Sequence, residues 1–287
     1  MNIALLQTNI IQDIARIEEY VQNCVKQQVK LICLPDYIFA PFFLPFQPSA
    51  TIVDSKSYQK DYNANLLSGI QALSKKYKVC FLAPLVIGES VVKQYTKPQS
   101  NTPIKDSKAT KNTRPKLYKV LAFVDCKDTV LYLQQQLMGF SHWNERATFA
   151  NPKSKAMHLP LSFELEGLKI GAFFGFELHY DALMLKMKQH HYDLLIVPTA
   201  STFNTHLRWR SLCKTRAFLN SSALLRVNRV GDEFIDGHNW KFYGDSLFVN
   251  AYGEIEDSLQ DYEGVMIVSV EKDDIDKAKE LWAWNNF

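Results

Sequence analysis

Three acidic side chains stand at or beside the ends of short apolar runs. Asp36 lies in "LICLPDYIF", Glu145 opens "ERATF", and Glu177 follows "LKIGAFFGF". A carboxylate in such a place can act as a general base, and two of them, Asp36 and Glu145, could activate water on an activated substrate without a covalent intermediate. A nucleophile is harder to find. The stretch "LKIGAFFGFELHY" reads as a buried strand that breaks at Gly175 and passes into an acidic, then helical, segment. Strand-to-helix turns of this kind are where many α/β hydrolytic enzymes hold a nucleophile in a strained conformation. Glycine keeps such a turn at low steric cost but cannot attack anything. Its neighbours Phe174, Phe176 and Glu177 offer no thiol or hydroxyl.

The cysteines do not fill the gap. Cys24, Cys33, Cys80, Cys126 and Cys213 lie far apart, form no CxxC pair and are mostly embedded in apolar runs, as reduced core thiols are. Cys33 precedes Asp36 by three residues, so strand alternation points it elsewhere. His190 and His191 end a helical pattern before "YDLLIV", where imidazoles favourably face a helix C-terminus. His142, His179, His206 and His238 make no HExxH or Cys/His spacing, and no GxxxxGK or GxGxxG occurs, so neither a metal nor a nucleotide cofactor is expected.

The elements that must position these groups recur along 287 residues. Apolar runs rich in β-branched and aromatic residues, among them "NIALLQTNI", "VLAFVDC", "DLLIVPTAS" and "GVMIVSV", alternate with helical patterns such as "DIARIEEYVQNCVKQQ" and "WRSLCKTRAFLNSS". Two-sided apolarity marks strands covered by helices, and the alternation predicts one α/β domain over 1–287. With 47% hydrophobic, 13% aromatic and 22% charged residues the chain has ample material for a core. A net charge of +3 requires no nucleic-acid or membrane partner. The absence of a signal-like start and of an apolar run of about 18 residues points to the cytoplasm. One polar segment, Lys93 to Tyr118, breaks the pattern. Its Lys97–Lys116 portion holds six basic residues against one acid, net +5. It is expected to be a solvated loop insertion rather than a nucleic-acid arm, since no aromatic residue lies between Tyr95 and Tyr118. The tail at about 271–287, ending "ELWAWNNF", carries Trp282, Trp284 and Phe287, which need cover.

Taken in order, "MNIALLQTNI", "LICLPDYIF", "LYLQQQL", "ERATF", "KIGAFFGFEL", "DLLIVPTAS", "TRAFLNSSALLRVNRVG" and "FYGDSLFVNAYGEI" resemble the nitrilase, or carbon-nitrogen hydrolase, superfamily over essentially the whole chain. The resemblance implies a four-layer α-β-β-α sandwich. It also implies a glutamate base, a lysine that stabilises developing charge, and a cysteine that forms a thioester with an amide or nitrile carbon. Carried over residue by residue, the base falls on Asp36, the lysine on Gln134 through Tyr132, the second glutamate on Glu145 and the nucleophile on Gly175. All three catalytic types are then replaced.

The expectation is a superfamily member that has lost amide and nitrile hydrolysis and serves in binding, assembly or regulation. Its vestigial pocket would comprise Asp36, Gln134, Glu145, Gly175, Phe176 and Glu177, with no catalytic residue and no cofactor. The alternative is an active hydrolase of amide or carbamoyl bonds using carboxylate-activated water. Glu145 is balanced between a site role and an ion-paired one, and Glu177 is expected to accept hydrogen bonds at the turn. Partners implied are a second copy of the chain, making a dimer or larger homo-oligomer, and a small-molecule or protein ligand.

Overall fold

The computed structural model describes residues 1–11, 13–39, 63–95, 116–153, 156–235 and 237–282. Its strands, in chain order, are β1 (Asn2–Gln7), β2 (Leu31–Cys33), β3 (Cys80–Gly88), β4 (Leu117–Val124), β5 (Thr129–Leu133), β6 (Gly139–Phe140), β7 (Trp143–Asn144) and β8 (Leu161–Leu165). They continue with β9 (Leu168–Ala172), β10 (Leu194–Thr199), β11 (Ala223–Asn228), β12 (Val230–Ile235), β13 (His238–Tyr243), β14 (Leu247–Val249), β15 (Ile255–Ser258) and β16 (Gly264–Ser269). The described helices are α1 (Ile14–Lys26), α2 (Asn63–Tyr77), α3 (Glu89–Tyr95), α4 (Glu145–Thr148), α5 (Asp181–His190), α6 (His206–Asn220) and α7 (Lys272–Trp282).

Two six-stranded sheets, ordered β16-β1-β2-β3-β4-β5 and β15-β14-β11-β10-β9-β8, stack face to face. In each, three central strands run parallel and antiparallel strands flank them. The period-2 alternation of β1 shows how both faces become apolar. Ile3 and Leu5 join Leu31, Cys33, Ile170, Leu194 and Ala223 between the sheets, whereas Ala4 and Leu6 face Ile17, Val21 and Ile70 of α1 and α2. On the far side Leu183, Met187, Cys213, Ala217 and Ile275 of α5, α6 and α7 cover the second sheet, which completes the α-β-β-α sandwich.

Local signals explain the helix ends. Asp13 caps α1 by accepting from the Ala15 N–H at 2.9 Å, and Ile17, Val21 and Cys24 recur at helical spacing on its buried side. His190 ends α5, and His191 follows as a left-handed cap at φ 52° whose N–H donates to the Lys188 carbonyl.

The polar segment is narrower than its composition suggests. Lys93 and Tyr95 belong to α3, and Leu117 and Tyr118 belong to β4, so the boundaries move inward; residues 96–115, with most of the basic charge, lie outside the described set. In the C-terminal segment Trp282 packs edge-on against Phe218, with ring centroids 5.1 Å apart, while Trp284 and Phe287 lie outside the described residues. Among the described residues no helix is long and apolar enough to cross a membrane.

Candidate functional site

The C-terminal ends of β2, β9 and β10 converge where the two sheets meet, the edge at which α/β folds present ligands. The chain leaves β2 through Pro35 to Asp36, whose N–H donates to the Thr199 carbonyl at the end of β10, 3.2 Å away. Tyr37 follows in a left-handed conformation at φ 56°. A tyrosine pays sterically for that conformation, and its surroundings hold it there. Its N–H donates to Asp36 Oδ1 at 3.0 Å, its hydroxyl donates to Glu145 Oε1 at 2.8 Å, and its carbonyl accepts from the buried Arg229 at 3.3 Å.

The largest departure from the sequence reading is a lysine. Lys119, third residue of β4, shares the inner face of that strand with Leu121 and Phe123 and is 2% exposed. Its Nζ donates to Asp36 Oδ2 and to Glu145 Oε1, both at 2.6 Å, and lies 4.3 Å from the Tyr37 ring centre and 4.8 Å from that of Phe174. The sequence reading carried the family's lysine onto Gln134 and did not include Lys119, which reaches the site from the neighbouring strand β4. Gln134, just past β5, sits beside it, its N–H bonded to the Lys119 carbonyl at 3.1 Å, and Asn151 ties the two strands by accepting from the Lys119 N–H and donating to both carbonyls.

Burial alone would depress the Lys119 ammonium, but Asp36 and Glu145 outweigh it and hold the group above its ordinary value. Burial is the dominant effect on Asp36 and, with the nearby Glu145 charge, raises its carboxyl to about 6 against the pull of Lys119. Because this folded-state value lies above the ordinary 3.8, Asp36 contributes stability that is complete below about pH 3.8 and is lost as pH rises through about 6. The expected loss is about 3 kcal/mol. Denaturant titrations of wild type and Asp36→Asn across that window should diverge, the wild type losing about 3 kcal/mol more than the variant.

Glu145 opens α4 and is 2% exposed, so it is ion-paired inside the protein rather than at its surface. Its Oε2 accepts from the Met138 N–H at 2.9 Å. Glu177 is fully buried and accepts from the N–H groups of Phe174, Gln135 and Gln136 and from the Tyr132 hydroxyl. Burial raises its carboxyl to about 7 despite these donors. It ties the turn after β9 to the loop after β5.

A cavity of about 500 Å³ opens over Asp36, Lys119, Gln134, Phe174, Gly175 and Phe176. Glu145 and Glu177 support this wall from behind and do not line it. Nor does any cysteine among the described residues: Cys33 is packed between the sheets, where burial pushes its thiol far above the ordinary range. No group of three His, Cys, Asp or Glu side chains able to hold a metal occurs among the described residues.

The anticipated strain at Gly175 is absent, because its φ lies outside the left-handed region and it begins a single 3-10 turn, Gly175–His179. The reason for glycine is close approach. A Cβ placed there would stand 2.2 Å from the Thr199 methyl, 3.2 Å from Trp209 and 3.3 Å from the Pro198 carbonyl. Thr199 is anchored in turn by its hydroxyl, which donates to Asn228 Oδ1 at 2.7 Å.

The sequence model of the carbon-nitrogen hydrolase family matches residues 2–280. No curated protein sequence matches the chain. Solved structures similar to it include a carbon-nitrogen hydrolase from Helicobacter pylori G27 (TM-score 0.78, 16% identity, covering 100% of this chain and 94% of that one). An amidase from Nesterenkonia sp. (TM-score 0.70, 17%, 100% and 96%) and a branch 10 member of the nitrilase superfamily from Saccharomyces cerevisiae (TM-score 0.70, 14%, 98% and 93%) are also similar. At these identities the likeness is one of fold. The sequence match is what carries kinship, and because it runs through both sheets and every segment of the site, the chain belongs to the carbon-nitrogen hydrolase family.

Proposed function

We propose that this protein binds a small ligand in the cavity over Asp36 and Lys119 and does not form the thioester that the resemblance implies. One observation carries the reading. The space in which a side chain at 175 would begin is filled by the Thr199 methyl, 2.2 Å from the Cβ position. No described cysteine reaches the cavity to take over the attack. Lys119 is held between Asp36 and Glu145, so a charged, buried cluster persists beside a position that carries no nucleophile. Intact-mass spectrometry after incubation with amides and nitriles should find no acyl adduct; an adduct on any cysteine would overturn the reading.

A second reading rests on Asp36, which lines the cavity with its carboxyl raised to about 6 and so could take a proton from water near neutrality. This noncovalent hydrolase would release ammonia without an adduct, at a rate that rises through about pH 6 and vanishes in Asp36→Ala.

We also infer self-association through the α5, α6 and α7 side of the sandwich, in keeping with a cytoplasmic homodimer. Leu185, Leu219 and Leu281 are 60%, 38% and 70% exposed there, apolar side chains that a second copy of the chain would cover. Light scattering at micromolar concentration should give the mass of a dimer or larger, and a monomer would contradict this.

A further inference from the structure

We propose that the occupant of the cavity is an amphipathic anion, a carboxylate on an apolar or aromatic body, with the body inside and the carboxylate at the mouth; this rests on the reading of the chain as a binder without thioester chemistry. The charges of the floor are answered within the protein. Asp36 is the one carboxylate that lines the cavity among the described residues, and both its oxygens already accept, Oδ1 from the Tyr37 N–H at 3.0 Å and Oδ2 from Lys119 Nζ at 2.6 Å. Lys119 is shared in turn with Glu145, which stands behind the wall and also accepts from the Tyr37 hydroxyl and the Met138 N–H. A further ammonium at this floor would meet Lys119, and a further carboxylate would meet Asp36. The floor therefore favours an uncharged end of the guest.

The charge that is not answered lies at the mouth. Helix α6 carries Arg208, Arg210 and Arg216. Arg210 is paired with Asp245 at 2.6 Å, and Arg216 with Asp181 at 2.5 Å. Arg208, in the first turn, borders the cavity, is exposed, and makes neither an ion pair nor a side-chain hydrogen bond with a described residue. That turn brings no acid of its own, and Thr205 before it makes no side-chain cap. His142 and His179, exposed on the same lining, add no negative charge. A guanidinium so placed can take a carboxylate through two parallel hydrogen bonds.

The walls cover an apolar body. Rings that line the cavity touch one another in an unbroken run: Phe203 meets His142 edge-on at 5.6 Å, His142 stacks on Phe140 at 5.6 Å, and Phe140 meets Phe176 edge-on at 5.8 Å. Phe176 leads through His179, at 5.9 Å, to Trp209, a further 5.3 Å on. Phe140 and Phe203 are 47% and 54% exposed, so the run reaches solvent, as Arg208 does. A guest bound body-first takes these apolar faces out of water. A neutral amide on the same body would use the rings but leave Arg208 unpaired. An amine would bring a charge of the same sign as Arg208 and Lys119.

The test is calorimetric titration of the full chain near neutral pH and at low salt with 3-phenylpropionate, 3-phenylpropionamide, 3-phenylpropylamine and acetate, the amide also being assayed for ammonia release. The acid should bind about fivefold more tightly than the amide, the amine more weakly than either, and acetate not measurably. The acid's advantage should shrink at about 0.5 M salt, because the pair at the mouth is open to solvent. Arg208→Gln, at an exposed position, should bring the acid down to the level of the amide. Phe140→Leu, also exposed, should weaken acid and amide alike by about two- to fivefold. No binding of the acid, an amide or amine that binds as tightly, an acid advantage that survives in Arg208→Gln, or acid affinity unchanged in Phe140→Leu would overturn the proposal alone. Ammonia release from the amide that is lost in Asp36→Ala would instead overturn the underlying reading.

Discussion

Replacing Lys119 by methionine should cost the protein about 3 to 5 kcal/mol of stability near neutral pH. The side chains are similar in length, so packing changes little, but two carboxylates 2.6 Å from the ammonium are left facing each other in a water-poor site. Removing one partner of a buried ionic cluster strands the others without compensation. Asp36 would answer by taking up a proton. Its carboxyl, already raised to about 6 by burial, would rise further once the Lys119 attraction is gone. The cost of Lys119→Met should therefore shrink as pH falls toward about 5. Denaturant titration at two pH values checks both the size and the direction of the change. A loss below 1 kcal/mol at neutral pH would mean that the cluster is not organised around Lys119.

Introducing a thiol at Gly175 should by itself damage the fold, and a second, smaller change should repair it. Gly175→Cys forces a Cβ to within 2.2 Å of the Thr199 methyl, an overpacking that costs about 1 to 3 kcal/mol and displaces the end of β10. Thr199→Ser removes that methyl while keeping the hydroxyl that donates to Asn228 Oδ1. The double variant should regain most of the lost stability and present a thiol to the cavity beside Asp36 and Lys119. Alkylation by iodoacetamide should then map to position 175 in the double variant at least about tenfold faster than to Cys33 or Cys213, both fully buried with burial raising their thiols. A single variant as stable as wild type would show that Thr199 does not close the position.

How much of this was legible in the sequence differs from residue to residue. The sandwich was, because two-sided apolar runs such as β1 and β10 repeat with helical patterns between them and the order of the segments matches the family. Asp36 and Gly175 were legible as well, since each sits at the end of such a run. Lys119 was not. A reading that starts the strand at "VLAFVDC" assigns the residues before it to the polar segment, and Lys119 falls in the gap between them. The signal was present in the alternation of "LYKVLAFV", where Lys119 shares a face with Leu121 and Phe123, and a charged residue on the buried face of a strand calls for a buried partner. The real strain, at Tyr37, could not be read in advance, because tertiary contacts, among them those of Arg229 and Glu145, hold a tyrosine at positive φ. Nor could the tight approach of Thr199 to Gly175, which joins residues from two different strand ends.

The measurement that bears most directly on the loss of thioester chemistry is ammonia release by the purified wild-type protein. A panel of amides, nitriles and carbamoyl amines would be assayed from about pH 5 to about pH 8 beside Asp36→Ala. The prediction is release no faster than the buffer blank at every pH, identical in the two proteins. Release that depends on Asp36 would contradict it and show that the cavity still turns substrate over without a nucleophile at Gly175.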